Sequence, residues 1–283
     1  MTIRQALTQA TDALEHAHVP DPSRDAALLL ADVTGMPSLE LFLHGQQALT
    51  SQQEQRFASL LLSRTSRKPL QYLLGIQYFY GLPFAVDERV LIPRPETEIL
   101  CELTLKLLRN TPSLKILDLC TGSGAIAVVM KREIPIASVT ATDISGDALV
   151  VAASNAMRNN ASIRFLKGDL FDPIAGERFD CILSNPPYIE TCVCHTLQAE
   201  VQFEPILALD GGADGLDYYR RIARNAASHL NPGGLLCMEI GDTQAEAVYN
   251  LLSIEGQFEN IEIHKDLGRF DRVVIAHAAS FPT

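Results

Sequence analysis

A doubly wound, mostly parallel seven-stranded α/β sheet of Rossmann-like form, behind a small helical domain, is the fold this sequence predicts. Three observations predict it. From Leu114 onward, short apolar runs alternate with longer stretches of helical periodicity, the pattern of a parallel sheet built from βαβ units. The first apolar run ends in a glycine-containing turn that opens a helix. The first 75 residues, by contrast, read as short helices. A chain of 283 residues, 47% hydrophobic and 20% charged, has room for a small domain plus one of about 200 residues.

The elements follow in order. Ile3, Leu7, Ala10 and Leu14 keep one helical stripe. Asp21-Pro22 is an N-cap with Pro at the first helical position, opening "SRDAALLLADV". Ser51 with Glu54 forms a capping box ahead of "QRFASLLLSR". Residues 1–75 are therefore a helical bundle. Residues 76–93, with "YFYGLPFAVDERVLIP", mix aromatic and β-branched residues with Gly81 and Pro83, as a β-hairpin linker does. Residues 94–283 form the main domain, in which Pro93-Arg94-Pro95-Glu96-Thr97-Glu98 opens a helix to about Arg109, Pro95 near its first position. Strands are expected at "LKILDLC", "ASVTATDI", "IRFLKGD", "FDCILSN" and "GLLCMEIG". Helices are expected at "GAIAVVMKRE", "GDALVVAASNAMRN", "GLDYYRRIARNAASHL" and "TQAEAVYNLLS". The strands "NIEIHKDL" and "DRVVIAHA" close the chain as a hairpin.

Charge and cysteine usage weigh against several function classes. The formal net charge is -11, and the nearest approach to a basic cluster is Arg64, Arg67 and Lys68. A nucleic-acid substrate, whose phosphates call for clustered Lys and Arg, is disfavoured. Six cysteines are scattered without a disulfide framework, and Cys192-Val-Cys194-His195 lacks a second cluster to complete a metal site. No metal is expected. The polar start "MTIRQALTQATDALEHAH" carries no signal-peptide core, and no apolar run approaches the ~20 residues of a membrane span. A cytoplasmic monomer with no membrane partner is the expectation.

The run from Ile116 to Ala127 passes from a buried strand through Cys120-Thr121-Gly122-Ser123-Gly124 into a helix. Two glycines let a ligand approach the backbone, and the helix N-terminus follows. Gly122-x-Gly124-x-x-Ala127 also satisfies the dinucleotide fingerprint, so NAD stays open at this point. Asp143 ends the second strand, where a carboxylate reaches a ribose diol. Asp118, Asp143 and Asp169 lie at three successive strand ends and make an acidic row. Such a row suits the cation of S-adenosylmethionine better than a pyrophosphate.

The stretch "SNPPYI" ends the fourth strand at Asn185. Pro186 and Pro187 lock two φ angles, so the corner is rigid. The Asn185 carboxamide and the Pro186 carbonyl supply acceptors for both hydrogens of a planar NH₂ group, and Tyr188 offers a flat face. Amide and aromatic amine nitrogens are poor nucleophiles because their lone pair is delocalised. Gripping both hydrogens aims that lone pair at an electrophilic methyl, which is catalysis by orientation and electrostatics.

"RKPLQYLLGIQYFYGLPFAVDERVLIPRPETEIL", "ILDLCTGSGAIA", "ATDIS", "SNPPYI", "EPILALDGGADGLDYYRRI" and "DRVVIA" together resemble the PrmC/HemK family of peptide-chain release factor glutamine N5-methyltransferases. The resemblance covers nearly the whole chain, and "PRPETE" with "ALDGGADGL" is its most specific part. It implies a class I S-adenosylmethionine methyltransferase fold and methylation of the glutamine in the Gly-Gly-Gln tip of class I release factors, leaving S-adenosyl-L-homocysteine. It further implies that Asn185, Pro186, Pro187 and Tyr188 hold the substrate amide. By the same resemblance Cys120 through Gly124 cradle the methionine end of the cofactor. Asp118 faces its ammonium, Asp143 holds the ribose, and Asp169 with Leu170 meets the adenine. The helical domain docks the release factor, and "TCVCHTLQAEVQF" is a mobile segment over the site. Cys120 stands where the family commonly has Gly, and Leu170 where it more often has an aromatic residue. "NPPY" alone is shared with N6-adenine methyltransferases, so a nucleic-acid methyltransferase, an NAD-dependent oxidoreductase and a non-enzymatic binding module remain as alternatives.

Overall fold

The computed structural model describes residues 1–108 and 113–279. The helix end expected at Arg109 lies outside the described residues. Two compact units emerge, Met1–Ile76 with Gln198–Phe203, and Gln77–Leu197 with Glu204–Thr283.

The first unit holds α1 (Ile3–His16), α2 (Pro22–Thr34), α3 (Ser38–Leu43), α4 (Ser51–Thr65) and α5 (Leu70–Leu74). Ile3, Ala10 and Leu14 of α1 meet Leu29 and Leu30 of α2 and Phe57 of α4 in one apolar core. The sequence reading of the α4 cap is corrected by one residue. Thr50, in extended conformation, accepts from the Gln53 N–H at 3.2 Å, and Gln53 Oε1 accepts from the Thr50 N–H at 3.0 Å. Arg64 is buried and donates to Asp25 Oδ2 at 2.7 Å and to Glu200 Oε1 at 2.9 Å. Arg67 donates to both Glu200 oxygens. Two of the three residues nearest to a basic patch are thus matched by internal acids. The segment expected to be mobile is anchored at Glu200.

The hairpin β1 (Ile76–Phe79) and β2 (Leu82–Ala85) comes next, then α6 (Thr97–Leu108). α6 starts later than the sequence reading placed it. Pro95 sits in a preceding turn closed by Thr97 N–H to Arg94 O. The alternation then runs β3 (Lys115–Leu119), α7 (Ala125–Glu133), β4 (Ser138–Asp143), α8 (Gly146–Arg158), β5 (Arg164–Lys167) and β6 (Phe179–Ser184). After the short α9 (Thr191–Cys194) come α10 (Asp217–Ala226), β7 (Leu230–Glu239), α11 (Ala245–Ile254), β8 (Phe258–Lys265) and β9 (Asp271–Ala278). β7 begins at Leu230, ahead of the run at Gly234, because Leu230 already pairs with Phe179 across a register shift.

These strands make the expected seven-stranded sheet, in the order β5-β4-β3-β6-β7-β9-β8. All neighbours are parallel except those of β9. Alternate residues face opposite layers. Ile116, Val139, Cys181, Cys237 and Ile275 pack under α6 and α7 with Phe79 and Phe84 of the hairpin. Leu117, Ile182, Leu236, Met238 and Val274 pack under α10 and α11. β4 and β5 extend the sheet to one side of β3 and β6 returns to the other. The switch point of the topology therefore lies between β3 and β6, where open α/β sheets bind ligands.

Asn155 of α8 joins the hairpin to the first turn. Its Oδ1 accepts from the Ala85 N–H at 2.6 Å, and its Nδ2 donates to the carbonyls of Ala85 and Ser123 at 3.0 and 2.9 Å. Asn155→Ala leaves these groups unpaired in the interior. It is expected to lower the unfolding free energy by about 1–3 kcal/mol in urea titration, and an unchanged midpoint would contradict that account.

Candidate active site

The register of the two central strands pairs Leu119 with Ser184, and Ser184 Oγ donates to the Leu119 carbonyl at 2.9 Å. Both strands finish level, so Cys120 and Asn185 leave the sheet side by side at the switch point. The turn after β3 is left-handed at Cys120 (φ +58°), Gly122 (φ +53°) and Gly124 (φ +81°). A Cβ on Gly122 would meet nothing within 4 Å. That side of the turn is open to a ligand. The conformation at Cys120 costs a non-glycine residue about 1 kcal/mol, which is the physical reason glycine suits that position.

A cleft enclosing about 980 Å³, counting space open to solvent, lies over these strand ends. The turn contributes Cys120, Thr121, Gly122 and Ser123 to its lining, the outer strand ends Asp143, Asp169 and Leu170, and the corner Asn185 and Pro187. Asp118, Gly124, Pro186 and Tyr188 adjoin these residues in sequence without belonging to the lining.

The acidic row read from the sequence separates into three different groups. Asp118 is fully buried beneath the turn, its Oδ2 accepting from the Thr121 hydroxyl at 2.6 Å and the Ala127 N–H at 3.2 Å. Among the described residues its Oδ1 has no hydrogen-bond partner, and burial pushes its pKa up to about 7. Asp143 accepts from the Gly122 N–H at 2.9 Å and the Ser145 N–H at 2.8 Å, fixing the turn to the end of β4. Burial raises its pKa as well, against those bonds. Asp169 is paired with Arg221 at 2.8 Å. Only Asp143 and Asp169 reach the cleft.

The corner at Asn185 is held by Thr97, which also lines the cleft, and by the buried Glu239, neither of them expected from the sequence to take part in chemistry. Asn185 Nδ2 donates to Thr97 Oγ1 at 3.2 Å, and the Thr97 hydroxyl donates to Glu239 Oε2 at 2.6 Å. The Tyr188 hydroxyl approaches Glu239 Oε1 at 3.4 Å. Glu239 is buried at the end of β7, and burial lifts its pKa to about 7 although Thr97, Arg272 and Tyr188 pull the other way. Burial also raises the Tyr188 pKa, so its phenol stays protonated and can donate. The backbone of the corner is pinned by Gln244 Nε2, which donates to the Tyr188 carbonyl at 2.9 Å. A Cβ on Gly211 would come within 2.7 Å of Tyr188 Cα, and one on Gly215 would overlap the Tyr188 carbonyl oxygen. Close backbone approach is thus why "ALDGGADGL" needs glycine at 211 and 215, while Gly212 (φ +94°) leaves room for the Asp217 carboxylate.

The "PRPETE" segment gains a role. Arg94 donates to Glu204 Oε1 and the Ile92 N–H to Glu204 Oε2, which fixes the start of the segment whose Pro205, Leu207 and Ala208 line the cleft. Glu98 accepts from the Tyr80 N–H at 2.6 Å, tying the hairpin to α6. Cys192 and Cys194 lie on α9, and among the described residues no group of three or more His, Cys, Asp or Glu is arranged to hold a metal.

Comparison with known proteins adds sequence relatives. The family model described as the PrmC N-terminal domain matches residues 5–75, and that of the methyltransferase small domain matches residues 96–202. The release factor glutamine methyltransferase of Thermodesulfovibrio yellowstonii is 42% identical over 257 residues, covering 89% of this chain and 91% of that one. Its counterpart from Moorella thermoacetica is 41% identical over 98% of this chain and 99% of its own. Among solved structures, the hMettl16 catalytic domain in complex with MAT2A 3′UTR hairpin 6 superposes with a TM-score of 0.58 at 18% identity, covering 80% of this chain and 82% of that one. A methyltransferase from Pyrococcus furiosus gives 0.53 at 22% identity, over 71% and 91%. At these identities the structural likeness bears on the fold alone.

Gly215 adopts φ +71°, and Gly256 adopts φ +62° with nothing within 4 Å of an added Cβ. Gly256→Ala should cost only the left-handed strain of about 1 kcal/mol. Gly215→Ala adds overlap with the corner and should cost more, about 1–3 kcal/mol. Denaturation midpoints of the two variants test this, and equal losses would show that Gly215 does not support the corner.

Proposed function

This chain belongs to the release factor glutamine methyltransferase family, and on that premise we propose what each part of its cleft does. The enzyme is an S-adenosylmethionine-dependent methyltransferase that methylates the side-chain amide nitrogen (N5) of the glutamine in the Gly-Gly-Gln motif of release factors. When bound, S-adenosylmethionine supplies a methyl group on a positively charged sulfur and leaves as S-adenosyl-L-homocysteine. The residues present fit that cofactor, since the turn is open at Gly122 and Asp143 is rigidly placed beside it. Cys120 to Gly124 receive its methionine end, Asp143 its ribose hydroxyls, and Asp169 with Leu170 its adenine. Asp118, sealed beneath the turn, acts on the ammonium through the backbone it props rather than by contact.

Asn185 and the Pro186 carbonyl accept the two hydrogens of the substrate amide, and Tyr188, beside Pro187, gives the glutamine a flat wall. These groups do no proton abstraction. They orient a weak nucleophile and stabilise it as its lone pair localises. The observation that carries this reading is the level finish of β3 and β6, which sets the cofactor turn beside the carboxamide. Among the described residues no helix is long and apolar enough to cross a membrane. We read the protein as a cytoplasmic monomer acting on class I release factors, with its first 75 residues docking the substrate and no nucleic acid involved.

Labelled methyl transfer from S-adenosylmethionine tests the function. A class I release factor should be labelled, and one with its Gly-Gly-Gln glutamine replaced by alanine should not. Label entering the second factor equally would overturn the assignment. Asn185→Ala should lower the transfer rate roughly 10²-fold with cofactor affinity nearly unchanged. Asp143→Ala should do the reverse, weakening cofactor binding by about 1–3 kcal/mol in calorimetry.

A further inference from the structure

The carboxamide of Asn185 has two ends of opposite character, and only one of them suits an NH₂ substrate. If the oxygen faces the cleft, it accepts a substrate hydrogen; if the nitrogen faces it, two donors confront each other. The choice is made by Thr97, at the edge of the same cleft, and by the buried Glu239 beyond it. A Thr hydroxyl carries one proton, and the Thr97 hydroxyl lies 2.6 Å from Glu239 Oε2. An ionised carboxylate only accepts, so Thr97 must give its proton to Glu239. Toward Asn185, Thr97 can then only accept, which draws Nδ2 to it at 3.2 Å and turns the carbonyl oxygen of this cleft-lining residue toward the ligand.

We propose that Thr97 and Glu239 are positioning residues that decide which end of the Asn185 carboxamide faces the substrate, and that neutralising Glu239 reverses the choice. The proposal rests on the reading of Asn185 as the amide acceptor. With a proton taken up from solvent, Glu239 can donate to Thr97 Oγ1, and the Thr97 proton is then free to point at Asn185. The carboxamide turns over to accept it and presents its nitrogen to the cleft. Glu239 meets Thr97 from α6, with Glu96 just ahead of that helix adding negative charge nearby, while burial keeps Cys101 within the helix a neutral thiol. From the other sides it meets the Tyr188 hydroxyl, the Arg272 guanidinium of β9, and Tyr219 of α10, which donates to its backbone carbonyl at 2.9 Å. Burial raises its pKa to about 7, with Thr97, Arg272 and Tyr188 opposing the rise and Glu96 adding to it. Above that pKa the carboxylate is ionised and the oxygen faces the substrate, so transfer should rise with pH through neutrality.

The test follows the Asn185 side-chain amide of ¹⁵N-labelled protein by NMR, assigned with Asn185→Ala, together with the Glu239 carboxyl carbon, across neutral pH. Both should move with one midpoint, and Glu239→Gln should remove the Asn185 shift. In methyl transfer, Thr97→Val, which keeps the shape of the side chain, should lower kcat roughly 10–100-fold, as when an orienting partner is lost. The cofactor dissociation constant should hold, Thr97→Ser should recover most of the rate, and Glu239→Gln should flatten the acid limb of the pH profile. An Asn185 amide indifferent to pH, or Thr97→Val turning over like wild type, overturns the proposal. Absence of transfer by the wild type would instead count against the release-factor reading, while the resonances still decide this one.

Discussion

The parallel pairing of Leu119 with Ser184 is the constraint on which the rest of the site depends. A strand advances about 3.3 Å per residue, so a slip of two residues would part the glycine turn from the carboxamide by about 6–7 Å. No side-chain adjustment at a proline-locked corner could recover that distance. The register is fixed by the ladder, by burial on both faces of β3 and β6, and by the Ser184 hydroxyl clasping the Leu119 carbonyl. The sheet thus sets the separation of the turn and the Asn185 carboxamide before any side chain is considered.

Level strands place the corner without making it stiff. Stiffness comes from two distant segments that meet around it. "PRPETE" provides Thr97 against Asn185 and Arg94 against Glu204, while "EPILALDGGADGL" provides Glu204 itself and the glycines that let the chain lie against Tyr188. Each prop also serves the cleft, since the chain held at Glu204 runs on to Pro205, Leu207 and Ala208 in its lining. An amide nitrogen is too weak a nucleophile for proximity alone, and a loose acceptor would surrender the orientation that compensates for it.

The sheet, the glycine turn and the rigid corner were legible because their causes are local. Alternating apolar runs, positive-φ glycines and consecutive prolines act within a few residues. What was not legible works across long separations. Nothing near Thr97 announces that its partner is Glu239, and nothing near Arg94 announces Glu204. One local signal exists, a carboxylate inside the apolar run "LLCMEI", which a strand buried on both faces does not accept without a partner. Asp118 was misplaced for a related reason. A strand buried on both faces has no polar alternation to show which way a given residue points. The α4 cap went wrong because Ser51-Glu54 and Thr50-Gln53 both satisfy the box pattern, and only the extended backbone at Thr50 decides between them.

Burying a carboxylate beneath the corner is costly, because desolvation of an ion in the interior amounts to several kcal/mol before its partners offset it. Arg272, Thr97 and Tyr188 provide that offset only in part, as the upward displacement of the Glu239 pKa shows. An apolar side chain of the same volume would fill the space at less cost to the fold. What it could not do is impose a direction. A hydroxyl between two neutral amides can point either way, whereas a hydroxyl beside an acceptor-only group has its proton committed. The negative charge therefore converts a symmetric contact into a polarised chain of hydrogen bonds ending at Asn185. The instability tolerated at the end of β7 and the orientation needed at the end of β6 are two consequences of the same ionised group.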